Sequence, residues 1–301
     1  MSGFDAEKVR QVAIALQTNE RYIEKDWHLV RALGVISSVN VEGVVPTFSG
    51  GTSLARAWQL IHRFSEDIDF KVTVAGGSVR EQRDRRRTYR EAVLEAMQKA
   101  GFVLDGPPTV GNESLFFRAS FHYGPVFPEA GGIRPGLRVE MTFSGTHIAP
   151  KTSPVQSLYG QSLKAAPELA SLSCVDPVET TADKICALSW RAAVRDRSDP
   201  AKDEPEVVRH LHDLAALAPR YGGVPDLQPL TLRLLDIDAK RGRMEDGRKM
   251  LGAMLPKIMG DPEWKKEYER YVSAVSFGPD ADRISYEKAV AACEDLVRKI
   301  L

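Results

Sequence analysis

The sequence predicts an α+β fold: an N-terminal mixed β-sheet flanked by helices, followed by a C-terminal helical bundle. Residues 64–74, 112–123 and 136–144 alternate between apolar and polar side chains, as strands with one buried face do. Residues 44–48 form a further short stretch rich in β-branched residues. After residue 176 the strand patterns vanish and only helical periodicity remains. This change along the chain indicates a mixed half followed by a helical half.

Apolar residues at helical spacing predict the helices. The N-terminal half has two helices within residues 5–37, one over 52–62 and a charged one over 78–100. In the C-terminal half the same periodicity predicts helices over residues 176–195, 205–218, 229–242, 247–258, 262–275 and 283–300.

A stretch rich in turn-forming residues separates the two halves. Three prolines and one glycine fall within residues 146–172, which we predict to be a linker. We therefore expect a first domain over residues 1–145 and a helical domain over residues 173–301. The helical domain is expected to complete a cleft begun by the first domain.

The composition is that of an ordinary globular protein. Apolar residues make up 43% of the 301 residues and charged residues 27%, which excludes disordered and fibrous classes. The 41 basic residues balance the 41 acidic ones, so no long-range field draws the chain to nucleic acid or to an anionic membrane. Any polyanion must therefore be held by a local patch.

The cysteine content and the hydropathy predict a cytoplasmic protein. The spacing of Cys174, Cys186 and Cys293 suits neither a disulfide framework nor a zinc site, so we expect reduced thiols. The first ten residues include acidic and basic side chains and no apolar run, so we expect no signal peptide. No stretch approaches the roughly 20 apolar residues that a membrane helix needs. We therefore expect no membrane association.

A glycine-rich turn lies between a predicted strand and a predicted helix. It consists of Gly50, Gly51, Thr52 and Ser53. Glycines let the backbone approach a phosphate closely, and the amides that start a helix can donate to it. Thr52 or Ser53 is the expected N-cap. The alternative is a plain turn without a ligand.

Two aspartates on the next strand predict a metal site. Asp67 and Asp69 are one residue apart and so point to the same face. Two like charges this close need a cation or hydrogen bonds to neutralise them, and Mg²⁺ or Mn²⁺ is the simplest answer. Alternatively, one aspartate caps a turn and the other pairs with Arg63. Glu140, on the polar face of a later strand, is a third candidate ligand, with a solvated strand residue as the alternative.

The motifs together resemble a known family. The run from Phe48 to Ala55 and the run from Arg63 to Phe70 are similar to the AbiEii/AbiGii nucleotidyltransferase toxins, which belong to the DNA polymerase β-like superfamily. The resemblance implies a nucleotidyltransferase-like sheet. It implies that the residues of the glycine turn bind the phosphates of a nucleoside triphosphate (NTP) and that the catalytic pair Asp67 and Asp69 binds Mg²⁺.

Two further residues of the second run are predicted to contact the nucleotide. We predict that Arg63 and Ser65, on the same strand face as the aspartates, bind the nucleotide. The usual Gly-Ser pair is replaced by Gly51, Thr52 and Ser53, so the resemblance leaves open which hydroxyl meets phosphate.

The resemblance continues in the helical half. The runs Ala182 to Ile185 and His210 to Leu214 look like the later lysine and aspartate motifs of the family. This implies that Lys184 binds and neutralises the triphosphate and that Asp213 positions Lys184 or the acceptor. The alternatives are a solvated lysine and an aspartate paired with Arg209 along the helix.

The resemblance also implies a reaction and its partners. A nucleoside monophosphate (NMP) would pass from NTP to RNA, most of all to the 3′ end of tRNA, and block translation, and an antitoxin would neutralise the protein. Arg191 and Arg195 share a helical face with Lys184 and are the predicted RNA contacts.

Two other functions remain open on the sequence. The acceptor of the nucleotide could be a small molecule or a protein, or the chain could be a catalytically silent binding partner. The presence of Asp67, Asp69 and Lys184 favours catalysis, because a structural copy has no need of clustered carboxylates.

Overall fold

The computed structural model describes residues 4–128, 133–240, 246–277 and 283–301. The chain forms two compact units, Met1–Asp176 and Pro177–Leu301. All described strands lie in the first unit, and the second is built from helices, as predicted.

A single mixed sheet forms the centre of the first unit. Among the described residues it has eight strands, in the order β3-β5-β6-β2-β1-β8-β7, with β4 paired to β5. The central strand β2 is antiparallel to β1 and parallel to β6. The strands are β1 (Val44–Ser49), β2 (Asp67–Val74), β3 (Val103–Leu104), β4 (Thr109–Gly111), β5 (Phe116–His122), β6 (Leu137–Thr142), β7 (Lys151–Val155) and β8 (Leu169–Cys174).

Helices cover this sheet with apolar faces. Leu33 of the second helix and Val93 of the fourth are buried in one core with Phe48 and Phe70 of the central strands. A capping box at Ser78 starts the fourth helix. The helices of the unit are α1 (Ala6–Ala15), α2 (Glu20–Ser37), α3 (Gly50–Arg56), α4 (Val79–Lys99) and α5 (Leu158–Ser162).

The second unit contains the predicted helices. Its first helix packs against the next three, around buried residues such as Leu188, Leu211 and Leu251. In the described part of the chain, no helix combines the length and the apolar character needed to cross a bilayer. The helices are α6 (Pro177–Val194), α7 (Val208–Tyr221), α8 (Leu227–Lys240), α9 (Gly247–Gly260), α10 (Glu263–Val275) and α11 (Tyr286–Ile300).

The segment 146–172 differs from its predicted role as a linker. It contains β7, α5 and the start of β8, and β8 pairs with the central strand β1. The first compact unit ends at residue 176 and the second begins at residue 177, whereas the predicted domains ended at 145 and began at 173. Pro154 lies in β7, an edge strand of the sheet, where the missing amide proton of proline is tolerated. Pro154, one of the three prolines behind the linker prediction, therefore belongs to an edge strand.

Helix α3 also differs from its prediction at both ends. Its N-cap is Ser49, whereas Thr52 and Ser53 lie inside the helix. The helix ends at Arg56, and Gln59 then takes a positive φ of 52°, which no α-helix can accommodate.

Three consecutive charged residues of α2 are buried. Glu24, Lys25 and Asp26 are at most 1% exposed. The carboxylate of Asp26 accepts hydrogen bonds from the guanidinium of Arg56, at the end of α3, and from the backbone amide of Leu158, at 2.6 Å. The carboxylate of Glu24 receives hydrogen bonds from Arg21, Val126 and Phe127. These charges tie α2 to segments distant in sequence.

The turn after β1 requires glycine at its first position. Gly50 has a φ of +76°, in the left-handed region. A Cβ atom on Gly50 would lie 2.0 Å from Oδ2 of Asp69. Both the backbone conformation and the space beside it therefore exclude a side chain.

We predict that Asp26→Ala destabilises the protein by about 3–5 kcal/mol, because it leaves the buried Arg56 without its carboxylate partner. Urea unfolding measures the change. Asp84→Ala is the control, since Asp84 pairs with Arg87 on the exposed face of α4 and its loss should change stability little. Equal free energies of unfolding for the two variants would contradict the prediction.

We predict that Gly50→Ala destabilises the protein more than Gly106→Ala does. Gly106 also has a positive φ, +72°, but an added Cβ would meet nothing within 4 Å. Both variants bear the left-handed backbone penalty of about 1–2 kcal/mol. Only the Gly50 variant must also displace Asp69. Urea unfolding of both variants tests this, and a Gly106 variant at least as unstable as the Gly50 variant would refute it.

Candidate active site

The glycine turn lies against the residues predicted to act with it. Ser49, which precedes the turn, pairs with Asp69 in the antiparallel register of β1 and β2. A Cβ atom on Gly51 would lie 2.9 Å from Nη2 of Arg63 and 3.0 Å from Oγ of Ser65. The structure thus brings Asp69, Arg63 and Ser65 to the turn.

The hydroxyl groups of the turn face inward. Thr52 donates its hydroxyl to the carbonyl oxygen of Asp67 and lies 3.0 Å from Oγ of Ser65. The side chains of Thr52 and Ser53 are buried, whereas the two glycines are partly exposed. The accessible part of the turn is therefore its glycine backbone, and Thr52 attaches the turn to the start of β2.

Asp67 and Asp69 project from the same face of β2 and are partly exposed. In the parallel pairing of β2 with β6, Asp69 stands beside Glu140, and Asp67 beside Arg138. Neighbouring strands are about 4.8 Å apart, so this face carries three carboxylates close together. Arg138, two residues before Glu140 on β6, lies on the same face.

The donor set of this face fits a divalent cation at Asp67 and Asp69. Their carboxylate oxygens are the hard ligands that Mg²⁺ prefers. Glu140 accepts a hydrogen bond from Nε of Arg118 at 2.9 Å, and Nη1 of Arg138 lies 3.9 Å away. Within the described ranges, no three His, Cys, Asp or Glu side chains form a group able to hold a metal ion. Asp67 and Asp69 could hold such a cation, with Asp67 also paired with Arg134, whereas Glu140 is engaged by both Arg118 and Arg138.

A buried charge network reaches Asp67 from α2. Lys25 donates to Glu66 at 2.5 Å and to the carbonyl oxygen of Arg134 at 2.6 Å. Arg134 in turn donates from Nη2 to Oδ1 of Asp67 at 2.8 Å. Burial alone would raise the pKa of Glu66, but the charges of Lys25 and Arg134 hold this pKa below its ordinary value.

The predicted motifs do not include this network, although the sequence carries a signal for it. Glu24, Lys25 and Asp26 stand between Ile23 and Trp27 in an amphipathic helix. An uninterrupted charged run in such a place is unusual, because buried charges need partners. The partners, however, cannot be read from a single sequence.

The helical unit holds the second predicted pair. Nζ of Lys184 lies 2.7 Å from Oδ2 of Asp213, and both side chains are buried. Arg209, the alternative partner for Asp213, contacts Glu204 and Glu206. The structure places Lys184 of α6 beside Asp213 of α7, and the positioning of Lys184 by Asp213 stays a prediction.

A buried histidine lies near this pair. His210 is enclosed by the helical unit, and burial first, then the charges of Lys184 and Arg209, lowers its pKa well below the ordinary value. His210 is therefore neutral at physiological pH.

The two predicted RNA contacts, Arg191 and Arg195, are paired with acidic side chains in the structure. The guanidinium of Arg195 is 3% exposed and forms hydrogen bonds with Asp203 and Glu267. Arg191 pairs with Glu204. Glu204 and Asp203 come from the segment just after α6, 13 residues from Arg191 and 8 from Arg195, whereas Glu267 lies 72 residues from Arg195.

Comparisons with known proteins agree with this arrangement. Residues 44–292 match the family model described as the nucleotidyl transferase AbiEii toxin of type IV toxin-antitoxin systems. No curated protein matches the sequence. Among solved structures, MenT4, a nucleotidyltransferase toxin from Mycobacterium tuberculosis H37Rv, has a similar fold, with a TM-score of 0.52 and 18% identity over 99% of both chains. Because the family model spans most of the chain, this protein belongs to the AbiEii family of nucleotidyltransferase toxins of type IV toxin-antitoxin systems.

Proposed function

We propose that the protein transfers NMP from NTP to an RNA acceptor, with the 3′ end of tRNA as the favoured target, and thereby blocks translation. The observation that carries this proposal is the contact between the glycine turn and Asp69, where an added Cβ on Gly50 would come within 2.0 Å of the carboxylate. It puts an exposed glycine backbone, suited to phosphates, beside the carboxylates suited to a divalent cation.

Each group of site residues has its own role in the reaction. The backbone of Gly50 and Gly51 receives the triphosphate, and Arg63 and Ser65 flank it. Asp67 and Asp69 would hold Mg²⁺ or Mn²⁺, which supplies charge neutralisation at the phosphates and favours ionisation of the attacking hydroxyl. The acceptor oxygen bonds to the α-phosphorus, the bond from this phosphorus to the β-phosphate oxygen breaks, and pyrophosphate leaves.

Lys184 contributes a positive charge for the transferring phosphates. A cation fixed in advance stabilises developing charge better than a mobile one, because it needs no reorganisation during the reaction. The hydrogen bond to Asp213 fixes Lys184 in this way. We assign triphosphate neutralisation to Lys184 and its positioning to Asp213.

The toxin family supports RNA as the acceptor and an antitoxin as the partner. Blocked translation stops growth, which makes tRNA a fitting target for a toxin. We assign the reaction to the cytoplasm, where NTP and tRNA meet, and the buried thiols of Cys174, Cys186 and Cys293, none of which is in a disulfide, agree with a reducing compartment.

The test incubates the purified protein with Mg²⁺, each α-labelled NTP in turn, and total RNA. Label on RNA supports the proposal. Label on a small molecule or a protein supports the alternative acceptors, and no turnover with any NTP indicates a silent binding partner.

In this assay we predict that Asp67→Asn lowers transfer more than about 100-fold, because even groups supporting a metal ligand contribute about 10–100-fold. The control is Asp84→Asn, on the exposed face of α4, which should retain wild-type activity. Wild-type turnover by a folded Asp67→Asn variant would remove the role assigned to this carboxylate.

Variants of the Lys184 and Asp213 pair can distinguish an effect on catalysis from an effect on stability. Lys184→Met should abolish transfer and destabilise the protein by about 3–5 kcal/mol, since the buried Asp213 loses its partner. Adding Asp213→Asn should restore much of the stability, because no unpaired charge remains, but none of the activity. Thermal unfolding and NMP transfer are measured for both variants. Recovery of transfer in the double variant would indicate that Lys184 has only a structural role.

A further inference from the structure

Arg134 lies outside the motifs that carry the family resemblance, yet its position beside Asp67 is tightly fixed. Nη2 lies 2.8 Å from Asp67, and Nε lies 3.2 Å from Glu66. The backbone amide of Arg134 also donates to Glu66, at 3.0 Å, while its carbonyl oxygen accepts from Lys25. Both the side chain and the backbone are therefore held in place.

The guanidinium of Arg134 keeps one nitrogen available. Among the described residues, Nη1 has no hydrogen-bond partner, and the side chain is 30% exposed. Arg195 offers a comparison within the same chain: its three guanidinium nitrogens are all engaged by Asp203 and Glu267, and the side chain is buried. The guanidinium of Arg195 is thus saturated by protein acceptors, whereas Arg134 presents at the metal-binding face a donor that no described residue engages.

The charges around Arg134 favour an anion at Nη1. Glu66 pairs with both Lys25 and Arg134. Because Lys25 balances part of the negative charge of Glu66, that carboxylate does not fully neutralise Arg134. A divalent cation on Asp67 and Asp69 would neutralise these carboxylates and leave the positive charge of Arg134 for a further anion. Arginine suits phosphate in particular, because its planar fork can donate to several oxygens at once.

We propose that Arg134 is a nucleotide-binding residue whose Nη1 donates to the triphosphate of the NTP, with Glu66 and Lys25 as its positioning residues. This inference rests on the proposed function and identifies a further contact of that site with its substrate.

The test compares Arg134→Gln and Arg134→Lys with Arg10→Gln, an exposed arginine of α1 paired with Glu7. Three quantities are measured: KM for NTP, kcat, and the affinity for inorganic tripolyphosphate by calorimetry. Removing a charge-assisted hydrogen bond should raise KM and weaken tripolyphosphate binding at least about tenfold in Arg134→Gln, with a smaller effect on kcat. Arg134→Lys should be intermediate, because lysine keeps the charge but cannot serve Asp67 and a phosphate together. Arg10→Gln should match the wild type.

Specific outcomes would overturn this assignment. A folded Arg134→Gln variant with wild-type KM and tripolyphosphate affinity would do so, and so would a loss confined to kcat, which would mean that Arg134 only orients Asp67. If Arg134→Gln does not fold, a wild-type KM in Arg134→Lys would likewise overturn the assignment. Absence of turnover by the wild type with every NTP would instead contradict the proposed function, and tripolyphosphate binding would still decide the role of Arg134.

Discussion

The arrangement of the first unit depends on the buried charges of α2. Burying an ion costs several kcal/mol, so each charge must find a partner at a definite place. Asp26 binds Arg56, at the end of the helix that begins with the glycine turn. Lys25 binds Glu66, which immediately precedes Asp67 on β2. One helix therefore fixes both segments of the candidate site, the turn through α3 and the carboxylates through the start of β2.

The glycine turn and the metal-binding face form one structural unit rather than two neighbouring motifs. The register of β1 and β2 brings Asp69 to the turn, and Gly50 leaves room for this carboxylate because it has no side chain. Thr52 adds a hydrogen bond to the backbone of Asp67. A change in the turn must therefore move the carboxylates. This coupling explains why the chain has glycine at this position, since glycine adopts the left-handed backbone readily and leaves room for the carboxylate.

The sequence predicted the features that are local and missed those that depend on distant partners. Strands and helices follow from periodicity within a few residues, and the fold class was confirmed, whereas β7, α5 and the start of β8 lie in the segment predicted to be a linker. The carboxylates of β2 were placed on one face by the same reasoning. By contrast, the ion pair of Lys25 with Glu66 spans 41 residues, and its contact with Arg134 spans 109. No spacing rule encodes such pairs. The same holds for the pair of Arg195 with Glu267, which spans 72 residues.

Buried ion pairs are poor devices for stability alone, because well-packed apolar residues of similar volume often stabilise a protein as well or better. The chain nevertheless contains such pairs on both sides of its unit boundary, with Lys25 and Glu66 in one unit and Lys184 and Asp213 in the other. Apolar contacts tolerate small shifts, whereas a buried charge pair does not, since a shift leaves a charge unsatisfied. We therefore interpret these pairs as devices for position within each unit: Lys25 and Glu66 fix the surroundings of Asp67 in the first unit, and Asp213 fixes Lys184 in the second.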